Sequence, residues 1–457
     1  MIHGFSKFRR RFGVMKAMLS RYALSGLVLG LLSSPAFAAD AAQGSMSERM
    51  ERMEKMVEEL EKTKTEGMEE LKSHVETLEQ ELTMVDYRTG RIKALQEKVE
   101  ALSIGGDLSL IVQGVSGGGT NKADGSYSAD LFLIAPVGRY GNLFFRGDIG
   151  QGEGASLLIP PTFSGPNADL EFDQPSFEIA EAWYWTEFAI PDTRDKRLEM
   201  TIGKMDPTAL FDANTVANSE VSQFMADIFV NNLAIEFGGD ANGYGAGLSA
   251  AYRFTSIYNK GLNVTGRVGL FEGDGDFQDM MDSPFIMAEL DIWRPYYGLD
   301  GNYRIYAWTN QVKHTDLADP TTENLSNKGF GISVDQKVSN DMTLFARYGV
   351  QDKSVASFDQ VISAGAQLVG NAWGRGNDVA GLAYGASHVS KDFKDNSLSL
   401  EGYSADASFE HYIEAYYRYW ANDNISISPD LQVVVNPGGD SSQDTVFIYG
   451  ARLAATF

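Results

Sequence analysis

The chain ends in the stretch TVFIYGARLAATF, residues 445–457, and this stretch decides the fold. A period of two with one apolar face is the pattern of a β-strand, not of a helix. The apolar face, which includes aromatic residues, is Phe447, Tyr449, Ala451, Leu453, Ala455 and Phe457. The opposite face is Gly450, Arg452, Ala454 and Thr456. We therefore predict that the chain closes with a strand that turns one face to an apolar medium.

The first residues have the pattern of a bacterial signal peptide. Six Lys and Arg residues surround the start of a short apolar run, YALSGLVLGLL, and SPAFAA follows with small residues at Ala36 and Ala38. The run is too short to span a bilayer. We predict a signal peptide over residues 1–38 with cleavage after Ala38. Met1 and Met15 both remain possible starts, because the sequence from Met15 is a complete signal peptide by itself.

An exported chain without cysteine must be held together by packing or by a closed hydrogen-bonded sheet. The sequence also has no apolar run long enough for a transmembrane helix. If the protein lies in a membrane, it must therefore be a β-barrel, the other structure that satisfies its backbone in lipid. The apolar last strand ending in Phe457 is similar to the terminal strand of bacterial outer-membrane barrels.

Residues 103–457 show short alternating runs separated by Gly, Asp, Asn and Ser clusters. In GNLFFRGDIG, for example, Leu143, Phe145 and Ile149 share one face, while Arg146 and Asp148 share the other. Alternation alone fits both a soluble barrel and a membrane barrel; the export signal, the absent disulfides and the terminal Phe favour the latter. At roughly 22 residues per strand and connection, this region predicts an antiparallel transmembrane barrel of about 16 strands.

Residues 46–102 have a different pattern, a hydrophobic repeat of about 3.5 residues among Glu, Lys and Arg. Such a narrow stripe needs partner helices, so we predict an α-helical coiled coil within residues 39–102. One amphipathic helix folded onto the barrel is the alternative, and the repeat does not decide between two and three helices. The apolar positions are Met50, Met53, Val57, Leu60, Met68, Leu71, Val75, Leu78, Leu82, Val85, Ile92, Val99 and Leu102.

Composition excludes several classes of function. The formal net charge of −24 excludes nucleic-acid binding. With five histidines, no cysteine and none of the common hydrolase, metalloprotease or phosphate-loop motifs, we predict no enzyme, no catalytic residue and no cofactor. The acidic stretch FEGDGDFQDMMD is interpreted as a solvated loop. Divalent-cation binding is the sharper alternative, but Asp274, Asp276 and Asp279 lack the spacing of an EF-hand loop, so we predict no metal site.

One stretch, GKMDPTALFDANTVANSEVSQFM at residues 203–225, fits neither a strand nor a solvent loop. Pro207 cannot donate to a strand ladder. We predict that the segment folds into the barrel, with Phe211 and Phe224 packed on the wall. Its polar residues Asp212, Asn214 and Glu220 are then expected to face water at a constriction.

If lipid contacts the apolar faces, the lumen wall can be read from the strands. Mixed charges with aromatic rings suit neutral polyhydroxylated solutes, because rings stack on sugar C–H faces and polar groups bond hydroxyls. Interfacial girdles or ordinary wall packing are the alternative role of these aromatics. The predicted wall residues are Arg304, Tyr306, Trp308, Asn310, Asp335, Lys337, Arg347, Tyr412, Glu414, Tyr416, Arg418, Trp420 and Arg452.

Several long segments resemble the carbohydrate-selective porin family named OprB. They are residues 203–225 followed by FVNNLAIEF, then GISVDQKVSNDMTLFARYG, FDQVISAGAQLVGNAWGRGNDVAGLAYG and YIEAYYRYWANDNISISPDLQVVVNPGGD. The resemblance covers about residues 105–457. It implies a 16-stranded outer-membrane barrel, narrowed by inward-folded loops, through which sugars diffuse passively. The positions that match the family segments are Lys204, Asp206, Asp212, Asn214, Asn218, Glu220, Gln223, Arg375 and Asp378.

Together, the wall pattern and the resemblance give one set of predicted pore and constriction residues. They are Lys204, Asp206, Asp212, Asn214, Glu220, Gln223, Arg304, Trp308, Arg347, Arg375, Glu414 and Arg418. The expected partners are sugars or other small polar solutes, outer-membrane lipid and lipopolysaccharide. We also expect a homotrimer through barrel and coil, with the coil in the periplasm and in contact with peptidoglycan. The alternative function is a general or cation-favouring diffusion porin whose coil tethers the outer membrane to the cell wall.

Overall fold

The computed structural model describes residues 45–117, 120–138, 140–168, 175–190, 196–240, 243–255, 261–278, 281–319, 321–397 and 408–457. The chain divides into two compact units, Met1–Val99 and Glu100–Phe457. The predicted signal peptide and its cleavage site lie outside the described residues. Among the described helices, none is long and apolar enough to cross a bilayer.

The first unit contains one long helix, α1, at Met46–Glu100. Its start is a capping box: the Glu48 carboxylate accepts from the Ser45 N–H at 2.8 Å, and the Ser45 hydroxyl faces the Glu48 N–H at 3.5 Å. The apolar stripe is largely exposed in the single chain, as for Leu71 and Leu78. Leu102 falls just beyond the helix, and the side chains of Ile92 and Val99 lie outside those described. The predicted helix is present; its association stays a prediction.

The second unit is a closed antiparallel barrel of 16 strands, each paired with its neighbours in sequence. The predicted strand number is confirmed. The strands are β1 Ser103–Gly117, β2 Thr120–Val137, β3 Gly141–Gln151, β4 Ser176–Ala189, β5 Lys196–Met205, β6 Gly245–Thr255, β7 Asn263–Glu272, β8 Pro284–Trp293, β9 Gly301–His314, β10 Leu325–Lys337, β11 Met342–Gln351, β12 Phe358–Gly370, β13 Arg375–Val389, β14 Phe409–Trp420, β15 Ile425–Val435 and β16 Val446–Thr456.

The last strand closes the barrel by pairing with the first. Leu110 lies opposite Leu453 and Ser116 opposite Phe447. At the end of this pair, Phe457 and Gly106 exchange both backbone hydrogen bonds, at 3.0 and 3.2 Å. A Cβ added to Gly106 would lie 2.6 Å from the Phe457 ring, so the terminal aromatic packs directly over a glycine. Closure leaves no free strand edge, which is the condition for a sheet in lipid.

The two faces of the barrel have opposite chemistry. Phe447 and Tyr449 point outward and are more than half exposed, whereas Arg452 on the same strand points inward and is 1% exposed. Arg347 and Arg452 are the largest fully buried side chains. A soluble barrel would bury apolar side chains inside and expose polar ones. Outward apolar and inward polar residues therefore confirm the membrane-barrel interpretation of the alternation.

The two ends of the barrel also differ. Short connections join β2 to β3, β8 to β9 and β14 to β15 at the end where β1 begins, which we call the turn end. Long connections lie at the opposite, loop end. Two of them matter for the lumen: residues 152–175, called the second loop, and residues 206–244, called the inner segment. The inner segment contains the short helix α2, Asp227–Val230; a second short helix, α3, is Lys391–Ser397 in another loop.

Candidate permeation channel

The inner segment leaves the wall at Pro207, directly after β5. The Asp206 carboxylate accepts from the Thr208 N–H at 2.7 Å and from the Thr208 hydroxyl at 2.8 Å, which caps a single helical turn. Proline in this turn removes the donor that would have continued the ladder. The sequence therefore forces the chain out of the sheet after Met205, three residues later than the predicted start at Gly203, because Gly203, Lys204 and Met205 still belong to β5.

Apolar side chains of the inner segment pack on the inside of the wall. Phe211 meets Phe271 of β7 edge-on at 6.1 Å between ring centroids. Phe224 meets Tyr416 of β14 edge-on at 4.9 Å and lies 5.6 Å from Phe345 of β11. Both phenylalanines are fully buried. The prediction that they pack a folded-in segment against the wall is confirmed.

Asp212 is the centre of a buried polar network. The Arg347 Nε donates to its carboxylate at 3.2 Å, the Tyr306 hydroxyl at 2.8 Å and the Asn232 N–H at 2.7 Å. Arg347 also donates to the Asp212 carbonyl at 2.9 Å and to the Phe229 carbonyl at 2.8 Å. Burial raises the pKa of the Asp212 carboxyl, while the charge of Arg347 acts in the opposite direction. The network joins two turns of the inner segment to β9 and β11.

Further wall residues bind the main chain of the inner segment. Glu414 of β14 accepts from the Met225 N–H at 2.6 Å and from the Ala226 N–H at 3.0 Å. Arg418 donates to the Ser222 carbonyl at 2.9 Å. Arg452 of β16 donates to the Gln223 carbonyl at 2.9 Å and to the Glu220 carbonyl. The inner segment is therefore fixed to β14 and β16 as well as to β9 and β11.

The second loop also reaches inward-facing side chains and the inner segment. Glu410 of β14 accepts from the Phe163 and Ser164 N–H groups at 2.9 and 3.1 Å. The Asp227 carboxylate accepts from the Gly165 N–H at 2.9 Å. Burial raises the pKa of the Asp227 carboxyl to about 6, since only one backbone N–H stabilises its charge. The two segments therefore form a joint structure inside the loop end of the barrel.

The wall from β3 to β5 carries partly exposed charges around an aromatic ring. The Arg146 guanidinium lies 4.9 Å and the Lys204 Nζ 5.7 Å from the centroid of Tyr244. Arg146 pairs with Glu181 at 3.4 Å, and Lys204 with Asp240 at 2.9 Å. Sequence reasoning missed Tyr244, because it is the last residue of the inner segment, an irregular stretch where no periodic pattern places a side chain.

A second aromatic pair lies on the same stretch of wall. Phe144 of β3 and Trp183 of β4 stack at 4.6 Å between centroids, and the Trp183 Nε1 donates to Glu181 at 2.9 Å. These rings are only partly buried. Acidic, basic and aromatic groups therefore lie together on β3 to β5, facing the inside of the barrel.

Several predicted channel residues occupy positions other than those expected. Asp212 and Asn214 do not face water: they are 0% and 6% exposed. Asn214 instead donates to the Ser333 hydroxyl on the wall at 3.3 Å. These two polar side chains are used to hold the inner segment, because burying a polar group requires a hydrogen-bond partner. Glu220 and Gln223 are partly exposed.

The predicted aromatic wall is also used for packing. Trp308, Tyr306, Tyr412 and Tyr416 do face inward, but none is more than 4% exposed, because the inner segment covers them. Wall packing, the alternative role of these rings, is therefore what the structure contains. Their faces are not open to a solute in the lumen.

Arg375 is the clearest correction. It begins β13 at the turn end, and its guanidinium lies 4.1 Å over the ring of Tyr419. Tyr419 pairs with the outward-facing, exposed Ile427. Because Val379 points inward opposite Arg418, the alternation directs the neighbouring Asp378 outward, where it holds Arg375. Arg375 therefore belongs to an aromatic cluster on the outer face and not to the pore.

The comparisons with known proteins agree with this architecture. A family model described as "Carbohydrate-selective porin, OprB family" matches residues 94–457. Porin B of Pseudomonas aeruginosa is 25% identical over 203 residues, which cover 36% of this chain and 44% of that protein. The uncharacterized protein alr4550 of Nostoc sp. is 27% identical over 267 residues, which cover 54% of this chain and 44% of that protein. The chain thus spans less than half the length of the curated relatives it matches.

A solved structure is similar over the whole barrel. The high-pH structure of Pseudomonas putida OprB matches with a TM-score of 0.64 at 18% identity. The match covers 81% of this chain and 97% of that one. At this identity the likeness supports the fold.

Proposed function

The chain belongs to the carbohydrate-selective porin family, OprB, and from this premise we propose that it is a passive outer-membrane channel for sugars. The observation that carries the proposal is the inner segment, which Arg347, Glu414 and Arg452 fix inside a closed 16-stranded barrel. A segment that is fixed against the inside of the wall narrows the lumen permanently. No moving part is needed to form the constriction. Such a channel selects by size and by the groups that line it.

The lining that contacts the solute is, in this proposal, the partly exposed wall around Tyr244 and Trp183. Their rings offer apolar faces to sugar C–H groups, Arg146 and Lys204 offer donors to hydroxyls, and the partly exposed Asp240 offers an acceptor. Opposite charges alternate on this wall, so it carries no single-sign ring that would favour one class of ion. Of the other residues predicted from the sequence, the partly exposed ones remain candidates for contact with the solute: Lys204, Asp206, Glu220, Gln223 and Arg418. Arg304 does not, because it is 7% exposed and pairs with Asp335 of β10 at 2.9 Å.

The other predicted residues have a positioning role in this proposal. Asp212, Asn214, Arg347 and Glu414 hold the inner segment in place through the hydrogen bonds described above. Trp308 lies in a buried apolar cluster with Phe211 and Ile235 of the segment. Their substitution is expected to alter channel width more than solute chemistry. Substitution of the lining is expected to do the reverse, which makes the two roles separable by experiment.

The test is liposome swelling with the purified protein and solutes of matched size: a neutral sugar, an amino acid and a dicarboxylate. Sugars should enter fastest, and sugar added to a planar bilayer should block the ion current. Tyr244→Ala should weaken sugar block by about 2- to 13-fold, corresponding to about 0.5–1.5 kcal/mol of ring contact. Tyr419→Ala, on the outer face, is the matched control and should leave sugar block unchanged. Equal entry of all three solutes with no sugar block would refute sugar selectivity.

The second candidate is a general or cation-favouring porin, which the net charge of −24 supports. Reversal potentials in a salt gradient distinguish the sugar-selective porin from the cation-favouring one. In a cation-favouring pore the reversal potential lies close to the equilibrium potential of the cation, whereas a wall of mixed charge predicts a reversal potential near zero.

The barrel end at which β1 begins has short turns, which in outer-membrane barrels face the periplasm. We propose that α1 therefore lies in the periplasm and contacts peptidoglycan there. We also propose that it associates into a homotrimer through its exposed apolar stripe. Deleting residues 46–102 should then loosen the cell envelope and spare the conductance of the barrel. A deletion that leaves envelope integrity intact would contradict the tether.

A further inference from the structure

Three carboxylates converge where β7 ends and its loop begins. Glu272 is the last residue of β7, and Asp274 and Asp276 follow at every second position. Ligand oxygens of the three side chains lie within 4.8 Å of one another. Within the described residues, none of the three forms a salt bridge. Like charges held this close repel one another unless a cation lies between them.

Glu272 adds an independent observation. It is 2% exposed, and neither of its carboxylate oxygens has a hydrogen-bond partner among the described residues. The backbone N–H groups of Ala246 and Phe277 point toward it, but neither reaches the distance and angle of a normal hydrogen bond. A buried carboxylate without partners is costly. A proton would neutralise Glu272 alone and leave the two aspartates facing each other, whereas one divalent cation serves all three.

The backbone is shaped to bring these side chains together. Gly275 and Phe277 have φ angles of 67° and 57°, in the left-handed region, so the loop bends back after each aspartate. The Asp276 carboxylate accepts from the Gln278 N–H at 2.7 Å, which fixes the second bend. Phe277 is not a glycine, and such residues are uncommon in the left-handed region because this conformation costs free energy. Other contacts of the loop must offset that cost.

The donor set indicates the class of ion. Carboxylates are hard oxygen donors that calcium and magnesium both accept. Three side chains whose oxygens lie within 4.8 Å of one another can bind one such ion together. We propose that Glu272, Asp274 and Asp276 bind a divalent cation, calcium or magnesium. This site follows no EF-hand spacing, since its ligands alternate along five residues at a strand end.

The loop that carries the site packs against the end of the inner segment, which suggests a stabilising role for the bound cation. A Cβ on Gly275 would lie 2.0 Å from the Asp240 nitrogen, so the loop packs tightly on the end of the inner segment. The Gly239 N–H donates to the Gly273 carbonyl across the same contact. The cation therefore stiffens the loop against the place where the inner segment returns to the wall.

The experiment is equilibrium dialysis of radioactive Ca²⁺ against detergent-purified full-length protein freed of lipopolysaccharide, which binds calcium itself. One saturable site with a Kd on the order of 10⁻⁴–10⁻³ M is expected, the range of extracellular calcium modules. Mg²⁺ should compete for the same site. Glu272→Gln should weaken binding at least about 10-fold, and Asp276→Asn, in the exposed loop, should also weaken it. Asp444→Asn, exposed in another loop at the same end, is the matched control and should bind like the wild type.

Three outcomes would overturn the proposal. They are the absence of saturable binding to the wild type, an unchanged affinity in both Glu272→Gln and Asp276→Asn, and an equal loss in Asp444→Asn. Because Asp276 lies outside the barrel wall, Asp276→Asn keeps the proposal testable if Glu272→Gln fails to fold. Binding in detergent is measured without reference to solute passage, so the result is independent of the proposed channel function.

Discussion

Arg347→Met should release part of the inner segment from the barrel wall. The guanidinium contacts the segment at three points: the Asp212 carboxylate, the Asp212 carbonyl and the Phe229 carbonyl. Methionine fills a similar volume but donates no hydrogen bond. Asp212 would keep Tyr306 and Asn232 as partners but would lose the only cation that neutralises it within the described residues.

The magnitude follows from burial. The Arg347 and Asp212 side chains are 1% and 0% exposed, and removing one member of such a buried pair costs about 3–5 kcal/mol. At about 1.4 kcal/mol per factor of ten, the equilibrium for docking of the segment falls by about two to three and a half orders of magnitude. Arg253→Met is the matched control, since Arg253 pairs with Glu187 and Glu199 but is 43% exposed. Exposed pairs contribute only about 0–1 kcal/mol.

The assay is single-channel conductance in planar bilayers, combined with limited proteolysis of residues 206–244. Arg347→Met should show a larger or more variable conductance and faster cleavage, while Arg253→Met should match the wild type. Adding Asp212→Asn to Arg347→Met should cost less than the two single changes together, because no unpaired charge then remains. Unchanged conductance and unchanged cleavage in Arg347→Met would refute the anchoring argument, as would an equal effect of Arg253→Met.

Three further predictions address other contacts. Arg452→Met removes the donors to two carbonyls of the inner segment and should also raise conductance; wild-type conductance would show that β16 does not hold the segment. Burial raises the pKa of Asp227 in the folded protein to about 6, above its ordinary value of about 3.9, although the Gly165 N–H favours the charged form. Burial of this side chain beside Gly165 is therefore fully stabilising below about pH 4 and loses its stabilising effect as pH rises through about 6, which favours local opening. The hydrogen-exchange rate of the Gly165 amide, corrected for its intrinsic pH dependence, should therefore rise over this pH range in the wild type. The rate should not rise in Asp227→Asn. A rise that persists in this variant would show that Asp227 is not the titrating group. The chain has no native cysteine, so an introduced one can report on the association of α1. Leu71→Cys on the apolar stripe should form disulfide-linked dimers on oxidation, whereas Lys72→Cys beside the stripe should not. Equal cross-linking of the two variants would argue against a specific coiled coil.

The barrel could be predicted from the sequence because its alternation has a period fixed by strand geometry. The last strand shows this directly: the face that ends in Phe457 is outward, and Arg452 is inward, as the period of two requires. The strand number followed from length, since each strand must cross a bilayer of fixed thickness. These properties depend on local chemistry that every strand repeats.

The positions of the channel side chains could not be predicted in the same way. Asp212 and Asn214 are polar, and composition alone places such residues in water. Their burial depends on Arg347 and Ser333, which lie more than a hundred residues away in the chain. Arg375 was assigned to the pore by its match to a family segment, and such a match does not show the direction of a side chain. That direction depends on the register after the turn between β12 and β13, which precedes Arg375.

The wall contacts on the inner segment have a consequence for how such channels diversify. Glu414, Arg418 and Arg452 all bind peptide N–H or C=O groups, which every residue type provides. Side chains such as Glu220 and Val221 can therefore be exchanged while the path of the chain stays fixed. Scaffold and recognition are thus separable within one stretch of polypeptide. If the proposed channel function holds, a new solute preference can arise by substitutions at these positions while the barrel that carries them stays the same.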